Sequence, residues 1–443
     1  MPALANDARR AREGTRTFQR ALYRAAKAQP SRRFHALYDK VYREDILWRA
    51  WEEVKANAGA AGVDAQSIKA VEESGVEAFL GELAAELRAG RYRPRAVRRV
   101  YIPKADGRQR PLGIPTVRDR VVQAAVKVVL EPVFEADFRP SSYGFRPKRN
   151  AHQVGEAIRQ AVNRGAHWVV DADIEAFFDR IDHETLMGLV AKRISDRRLL
   201  RLLRQWLKAG VLEGGAMQAT EQGVPQGGVI SPLLANIVLH ELDRFWEDRC
   251  KHLGQLVRYA DDFVVLGRTE AQGQEALRRV QGLLTSLGLT LHPGKTRLVF
   301  LGNGGQGFDF LGFHYRLVAS WRWRGRWYCQ HWPSQRALRA VRERIKAITG
   351  PRRRLHEAVT GLVAALNRVL RGWGAYFRVG NSGRKFAQVD DYVRERLALS
   401  LNKKRQRSGR GWRHWTPAFF HALGVYQLAG TVRWYQAAPR AVR

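Results

Sequence analysis

Two short apolar runs near the middle of the chain, Leu256 to Ala260 and Phe263 to Leu266, are separated only by two acids, Asp261 and Asp262. Runs this short and rich in β-formers predict a β-hairpin with both carboxylates at its tip. Upstream the period is helical: Leu37, Val41, Ile46, Ala50 and Val54 recur between Phe34 and Asn57, the Gly-rich break 58–64 follows, and a second helix is expected over Val76 to Arg88. From Val97 to Ile102 the pattern becomes that of a strand. The segment KADGRQRPLG after it forms a hairpin-like loop turning at Asp106-Gly107. Arg118 to Val133, with Val121, Val122, Ala125, Val128 and Val129, predicts a mostly buried helix.

His167 to Phe178 (HWVVDADIEAFF) is a strand entering a turn, and a helix is expected over His183 to Arg193. Asp179 and Asp182 suit the turn and the N-cap before it, and His183 suits a structural role. Gly223 to Pro232 is a glycine-rich loop, and Ser231-Pro232 opens a helix buried along Leu234, Ile237, Val238, Leu242 and Phe245. Gln272 to Leu287 is an amphipathic helix, and Phe308 to Tyr315 is a short strand pair. Trp321 to Trp332 alternates Trp and Arg about Gly325, predicting a hairpin with an aromatic and a cationic face, for which sheet packing is preferred over nucleic-acid stacking. The last third is helical: a Ser334-capped helix ending at Gly350-Pro351, one from about Leu355 to Phe377, and one from Phe386 to Leu401.

Candidate chemistry sits at the breaks. Adjacent carboxylates repel unless a cation lies between them, so Asp261-Asp262 is either turn chemistry or a divalent-metal site. Strand alternation puts Asp171 and Asp173 on one face, and spacing leaves open which of them is a ligand. Lys104, Arg108 and Arg110 on the basic finger suit a triphosphate, because Lys offers a point charge and Arg a bidentate fork; a solvated basic hairpin is the alternative. In SSYGFRPKRN, Tyr143 and Phe145 interleave with Arg146, Lys148 and Arg149, fit either for stacking bases beside their phosphates or for a packed loop. Gly227 and Gly228 remove side chains where something approaches the backbone closely, and Gln226 can donate and accept there. Lys295 follows a Pro-Gly turn.

Charge changes the picture further. The 443 residues hold 77 Lys+Arg against 42 Asp+Glu, a net +35, which points to a polyanionic partner, nucleic acid first. The length suits two or three units with full cores. No apolar run approaches the ~20 residues of a membrane-spanning helix, so no membrane partner is expected and the chain is read as soluble. With only Cys250 and Cys329 a four-cysteine zinc site is excluded, no disulfide framework is expected, and a catalytic metal must be held by oxygen ligands. The Arg-rich N-terminus lacks the apolar core of a secretory signal and is read as a basic RNA-facing arm.

Taken in order, a basic finger, an acid on a strand, a Gly-rich loop with Gln, a paired-acid hairpin and a later Lys are the parts that nucleotidyl transfer needs, two divalent ions holding an attacking hydroxyl and a leaving pyrophosphate. The strings IPKADGRQRPLGIP, SSYGFRPKRNAH, DADIEAFFD, GVPQGGVISPLLANIVLHELD, VRYADDFVVLG, FDFLGFH and LNRVLRGWGAYFR resemble the motifs of group II intron reverse transcriptases, also called maturases, over nearly the whole chain. That resemblance implies an α+β right-hand polymerase: a basic, mostly helical extension over 1–95, fingers and an antiparallel palm sheet packed on helices over 96–315, and an α-helical thumb or maturase domain with a basic tail over 316–443.

The resemblance also assigns roles. Asp173 rather than Asp171, with Asp261 and Asp262, matches the metal-binding acids, and the backbone carbonyl of Ile174 joins them around two Mg²⁺ ions. Lys104 and Arg110 match contacts to the incoming dNTP, Gln226 a residue beside it, Gly227, Tyr143, Phe145 and Arg146 nucleic-acid contacts, and Lys295 the proton donor to pyrophosphate. Phe178 resembles the aromatic gate against a ribose 2′-OH, with Phe177 its rival. Implied partners are a group II intron RNA, an RNA template with DNA primer, target DNA and dNTPs, in a bacterial cytoplasm and near the nucleoid. Many relatives add a DNA-binding segment and an HNH endonuclease. Here the chain stops about 65 residues after the maturase signature, so no nuclease activity and priming at existing breaks are expected. The alternatives are an RNA-binding splicing factor with a vestigial polymerase, or a domesticated defence or repair enzyme.

Overall fold

The computed structural model describes residues 2–103, 107, 109–302, 304–351, 356–406 and 415–434. The strands are β1 (Val97–Pro103), β2 (Gln109–Ile114), β3 (Trp168–Ala172), β4 (Val211–Glu213), β5 (Ala216–Gln218), β6 (Gln255–Tyr259), β7 (Asp262–Gly267), β8 (Arg297–Phe300), β9 (Gly307–Phe310), β10 (Phe313–Ala319) and β11 (Trp327–Pro333). Among the described residues they form three sheets, ordered β2-β1-β4-β5, β6-β7-β3-β8 and β11-β10-β9.

The central sheet β6-β7-β3-β8 is antiparallel throughout, and the apolar residues of its strands alternate between two cores. Val170, Ala172, Leu256, Phe263 and Val265 join one core, which also holds the N-terminal helices and the helices Val117–Glu135 and Ser231–Phe245. Val169, Val257, Val264, Leu266 and Val299 join a second, shared with the helix Ala151–Asn163, the β9–β11 sheet and the C-terminal helices. Burial on both faces explains why these strands read as continuous apolar runs. A one-residue slip would exchange the two faces, so the register is strongly specified.

That register builds the site. β3 pairs with β7 through Ala172 and Phe263, and one residue beyond this pair Asp173 comes opposite Asp262. The hairpin β6–β7 closes at Tyr259 and Asp262, with Ala260 in a left-handed conformation (φ 58°) between them.

Several expectations are corrected. The N-terminal helix Pro2–Ala28 packs one side on the first core: Gln19 and Lys27 donate to the carbonyls of Val128 and Ala136 at 3.1 and 2.9 Å, and Leu22 and Ala26 are buried there. The helix expected from Leu355 runs over Val359–Phe377, and Leu355 itself lies outside the described residues. The Trp-Arg segment is not a packed hairpin in itself, because residues 320–326 are the loop joining β10 to β11 and Trp321 is 93% exposed. Ser334 caps its helix as expected, accepting from the Ala337 N–H.

Candidate nucleotidyl-transfer site

Asp173 follows β3, Asp261 lies in the two-residue β6–β7 turn, and Asp262 opens β7. The neighbouring acids Asp171 and Asp173 have different partners. Asp171 pairs across the sheet with Arg297, at 2.9 Å between Oδ2 and Nη2, whereas Asp173 carries the ammonium of Lys295 on its Oδ2. The His292 N–H donates to the Asp173 carbonyl at 2.8 Å, and this bond brings the Pro-Gly turn with Lys295 to the acids. The isolated bridge between Ile174 and Leu291 is closed by the Asp173 carbonyl and the Glu175 amide, not by the Ile174 carbonyl.

The carboxylates perturb one another. Burial, then the Asp173 charge, raises the pKa of Asp261. Although Asp262 is exposed as a residue, desolvation by the cleft walls, followed by Asp261, Asp173 and Asp171, pushes its carboxyl up to about 7. Like-charged acids held together are relieved by cations, and Lys295 supplies one directly on Asp173, with Arg110 and Arg258 acting on Asp261. The donors are all hard oxygen, which suits a divalent ion such as Mg²⁺, although among the described residues no group of three or more acidic, His or Cys ligands is preformed as a metal cage.

Opposite the acids, the loop 223–230 is fastened to its surroundings. The Val224 N–H donates to the Phe178 carbonyl at 2.7 Å, and Val229 N–H to Gln123 Oε1 at 2.8 Å. The Gly113 N–H of β2 donates to the Gln226 carbonyl at 2.7 Å, and Arg110 Nε donates to Gln226 Oε1 at 2.8 Å. The basic finger and Gln226 thus form one unit. Lys104 lies outside the described residues. Phe177 is buried at 2% exposure, while Phe178 is only partly covered on the one-turn helix Phe177–Arg180, so Phe178 alone of the two has surface to offer a ligand.

Two of the expected nucleic-acid contacts take protein partners. Arg146 is buried, with Nε and Nη2 on the two carboxylate oxygens of Glu135 at 2.9 and 2.8 Å and Nη1 on the carbonyls of Arg139 and Ser142; its donors are consumed by protein. Gly227 has φ 112°, and a Cβ there would stand 2.8 Å from the Gly113 carbonyl, so the close approach is made by β2. Phe145, by contrast, is 56% exposed with its ring 6.3 Å from that of Tyr259, beside the acidic turn. Tyr143 lies under the Arg149 guanidinium at 5.3 Å and donates its backbone N–H to the Arg258 carbonyl.

Sequence reasoning missed the group that holds the turn. Arg258, fully buried in β6, spends all five N–H bonds: Nε on Asp243 Oδ1 (2.8 Å), Nη1 on Asn236 Oδ1 (3.0 Å) and the Ala260 carbonyl (2.8 Å), and Nη2 on Ser142 Oγ (2.8 Å) and Asp243 Oδ2. The signal was available, since a charged residue inside a buried apolar strand is rare unless paired. Asn236 in turn donates to the Gly144 carbonyl at 2.9 Å, joining the SSYG loop to the same hub.

An antiparallel sheet with acids at the ends of two adjacent strands, a basic finger and a glycine loop facing them defines a polymerase-type palm. The model for "Reverse transcriptase (RNA-dependent DNA polymerase)" matches residues 102–315, and that for "Group II intron, maturase-specific domain" matches 338–417. Protein YkfC of Escherichia coli (strain K12) is 36% identical over 68% of this chain and 87% of its own length. Group II intron-encoded protein LtrA of Lactococcus lactis is 42% identical over 48% of this chain, which spans only 35% of that relative. A chain of a Cas6-RT-Cas1–Cas2 complex aligns at 27% identity over 56% of this chain and 41% of its own, with a TM-score of 0.36. The chain belongs to the group II intron-type reverse transcriptases, RNA-dependent DNA polymerases that carry a maturase-specific domain. No helix among the described residues is long and apolar enough to cross a membrane.

Proposed function

We propose that the chain copies RNA into DNA within a group II intron ribonucleoprotein, binding its intron RNA to assist splicing and acting on an RNA template, a DNA primer, dNTPs and target DNA. The observation that carries this reading is the meeting of Asp173 with Asp261 and Asp262 across β3 and β7, where the carboxyls of Asp261 and Asp262 have raised pKa values.

Asp173, Asp261 and Asp262, with the Ile174 carbonyl, would hold two Mg²⁺ ions, which would supply Lewis-acid activation of the primer hydroxyl and charge neutralisation at the reacting phosphate. Arg110 and Lys104 grip the triphosphate, Gln226 orients it through its bond to Arg110, and Phe178 closes the space a ribose 2′-OH would need. Lys295, paired with Asp173 and placed beside the acids, is the group that would donate a proton to the leaving pyrophosphate. Phe145 and Tyr143 line the approach of the nucleic acid.

Extension of oligo(dT) on poly(rA) with dTTP and Mg²⁺ tests the reading: the wild type extends and Asp261→Ala does not. A folded wild type that binds RNA without extending primer would replace the polymerase with an RNA-binding splicing factor.

A further inference from the structure

The end of the β10–β11 loop and the first residue of β11 read Trp-Arg-Trp-Arg-Gly-Arg-Trp from Trp321 to Trp327, and all seven residues are exposed. Trp321 is 93%, Trp323 52% and Trp327 41% accessible. Such rings are costly to leave in water without a use, and here they stand together.

The loop is built. Ser320 Oγ accepts from the N–H groups of Arg322 and Trp323 at 3.2 and 2.9 Å and from the Tyr328 hydroxyl at 2.6 Å. The Ser320 N–H donates to the Arg326 carbonyl at 2.8 Å, and Gly325 supplies the left-handed turn (φ 79°). The guanidinium carbons of Arg322 and Arg326 lie 5.4 and 5.9 Å from the Trp323 ring centre. Three rings and three guanidiniums are therefore presented on an ordered turn.

Its location separates it from the catalytic acids. A Cβ on Gly304 would stand 2.6 Å from the Trp327 ring, Leu301 N–H donates to the His167 carbonyl, and Phe300 pairs with Trp168. The tip thus belongs to the end of the central sheet where β3 begins. Asp173 is five residues further along, ~17 Å at ~3.3 Å per residue.

We propose that the Trp321–Trp327 tip is a docking site for an unpaired stretch of nucleic acid outside the catalytic cleft. Trp321 and Trp327 stack on bases, which is sequence-tolerant, while Arg322, Arg324 and Arg326 meet the phosphates. An anionic lipid surface is the competing polyanion. Tryptophan and arginine suit both, and the strand is favoured because the chain belongs to a family of nucleic-acid polymerases. The site goes beyond the polymerase reading, and either can fail alone.

The test uses the full chain with its cleft filled by excess unlabelled RNA–DNA template–primer. Fluorescence anisotropy then follows a short labelled single-stranded RNA of mixed sequence and its DNA counterpart. Trp321→Ala/Trp327→Ala weakens binding of the labelled strand by roughly tenfold or more per stacked ring, Trp321→Phe/Trp327→Phe recovers much of it, and the extension rate on saturating template–primer is unchanged. A preference between the RNA and DNA probes identifies which strand the tip takes. Equal binding by wild type and the alanine variant overturns the proposal. So does a loss seen only with phosphatidylserine vesicles, and so does a parallel fall in extension rate, which would make the tip part of the cleft.

Discussion

Arg258 Nη1 donates to the carbonyl of Ala260 at 2.8 Å, so the residue immediately before the acidic pair is held by a guanidinium with no contact to solvent. The left-handed backbone of Ala260 and the aim of Asp261 and Asp262 rest on that bond. The partner charge, Asp243, is equally buried, and removing one member of such a pair costs about 3–5 kcal/mol.

Arg258→Met is therefore expected to lower stability by about 3–5 kcal/mol and to abolish extension. Arg258→Met/Asp243→Leu should regain much of the stability but little of the activity, because the Ala260 carbonyl stays unheld. Urea midpoints paired with extension rates check this; recovery of both together would reduce Arg258 to a stability element.

Lys295→Met removes the ammonium from Asp173. The magnesium concentration giving half-maximal rate should fall, since the metal no longer displaces a cation, while the rate at saturating magnesium should drop roughly a hundredfold through loss of a general acid. A magnesium requirement that is unchanged or higher would contradict the competition.

Asp262 provides a pH signature. Its folded pKa of about 7 lies above the ordinary 3.8, so the folded chain holds this proton more tightly than the unfolded one. The associated stability is complete below the ordinary value and is lost as pH rises toward 7. In EDTA, wild type should lose more stability than Asp262→Asn between these limits, and magnesium should restore wild type above pH 7. Parallel stability–pH curves for the two proteins would refute the assignment.

Phe177 and Phe178 should separate cleanly. Phe178→Ala is expected to reduce selection of dTTP over UTP by at least tenfold with little change in stability, an effect of opening a sterically closed pocket. Phe177→Ala should cost about 3–5 kcal/mol as a core truncation. Competitive incorporation and thermal melting distinguish them, and unchanged discrimination in Phe178→Ala would remove it as the gate.

Local pattern determined much of this protein. Alternation and helical spacing located the acidic hairpin, the basic finger, the helix starting at Ser231 and the cap at Ser334, because backbone sterics and local burial act over a few residues. The order of those motifs was enough to assemble the candidate acids. Tertiary structure decided what each side chain spends its donors and surface on: Asp171 on Arg297, Arg146 on Glu135, Gly227 on the approach of Gly113, and Phe177 on the core while Phe178 stays partly open. It also decided the five acceptors that Arg258 meets behind the acidic turn and left Trp321 as an exposed ring. Partners such as Asp243 and Ser142 are distant along the chain, and pairing across that distance follows from how the two cores close on the central sheet, which no local window contains.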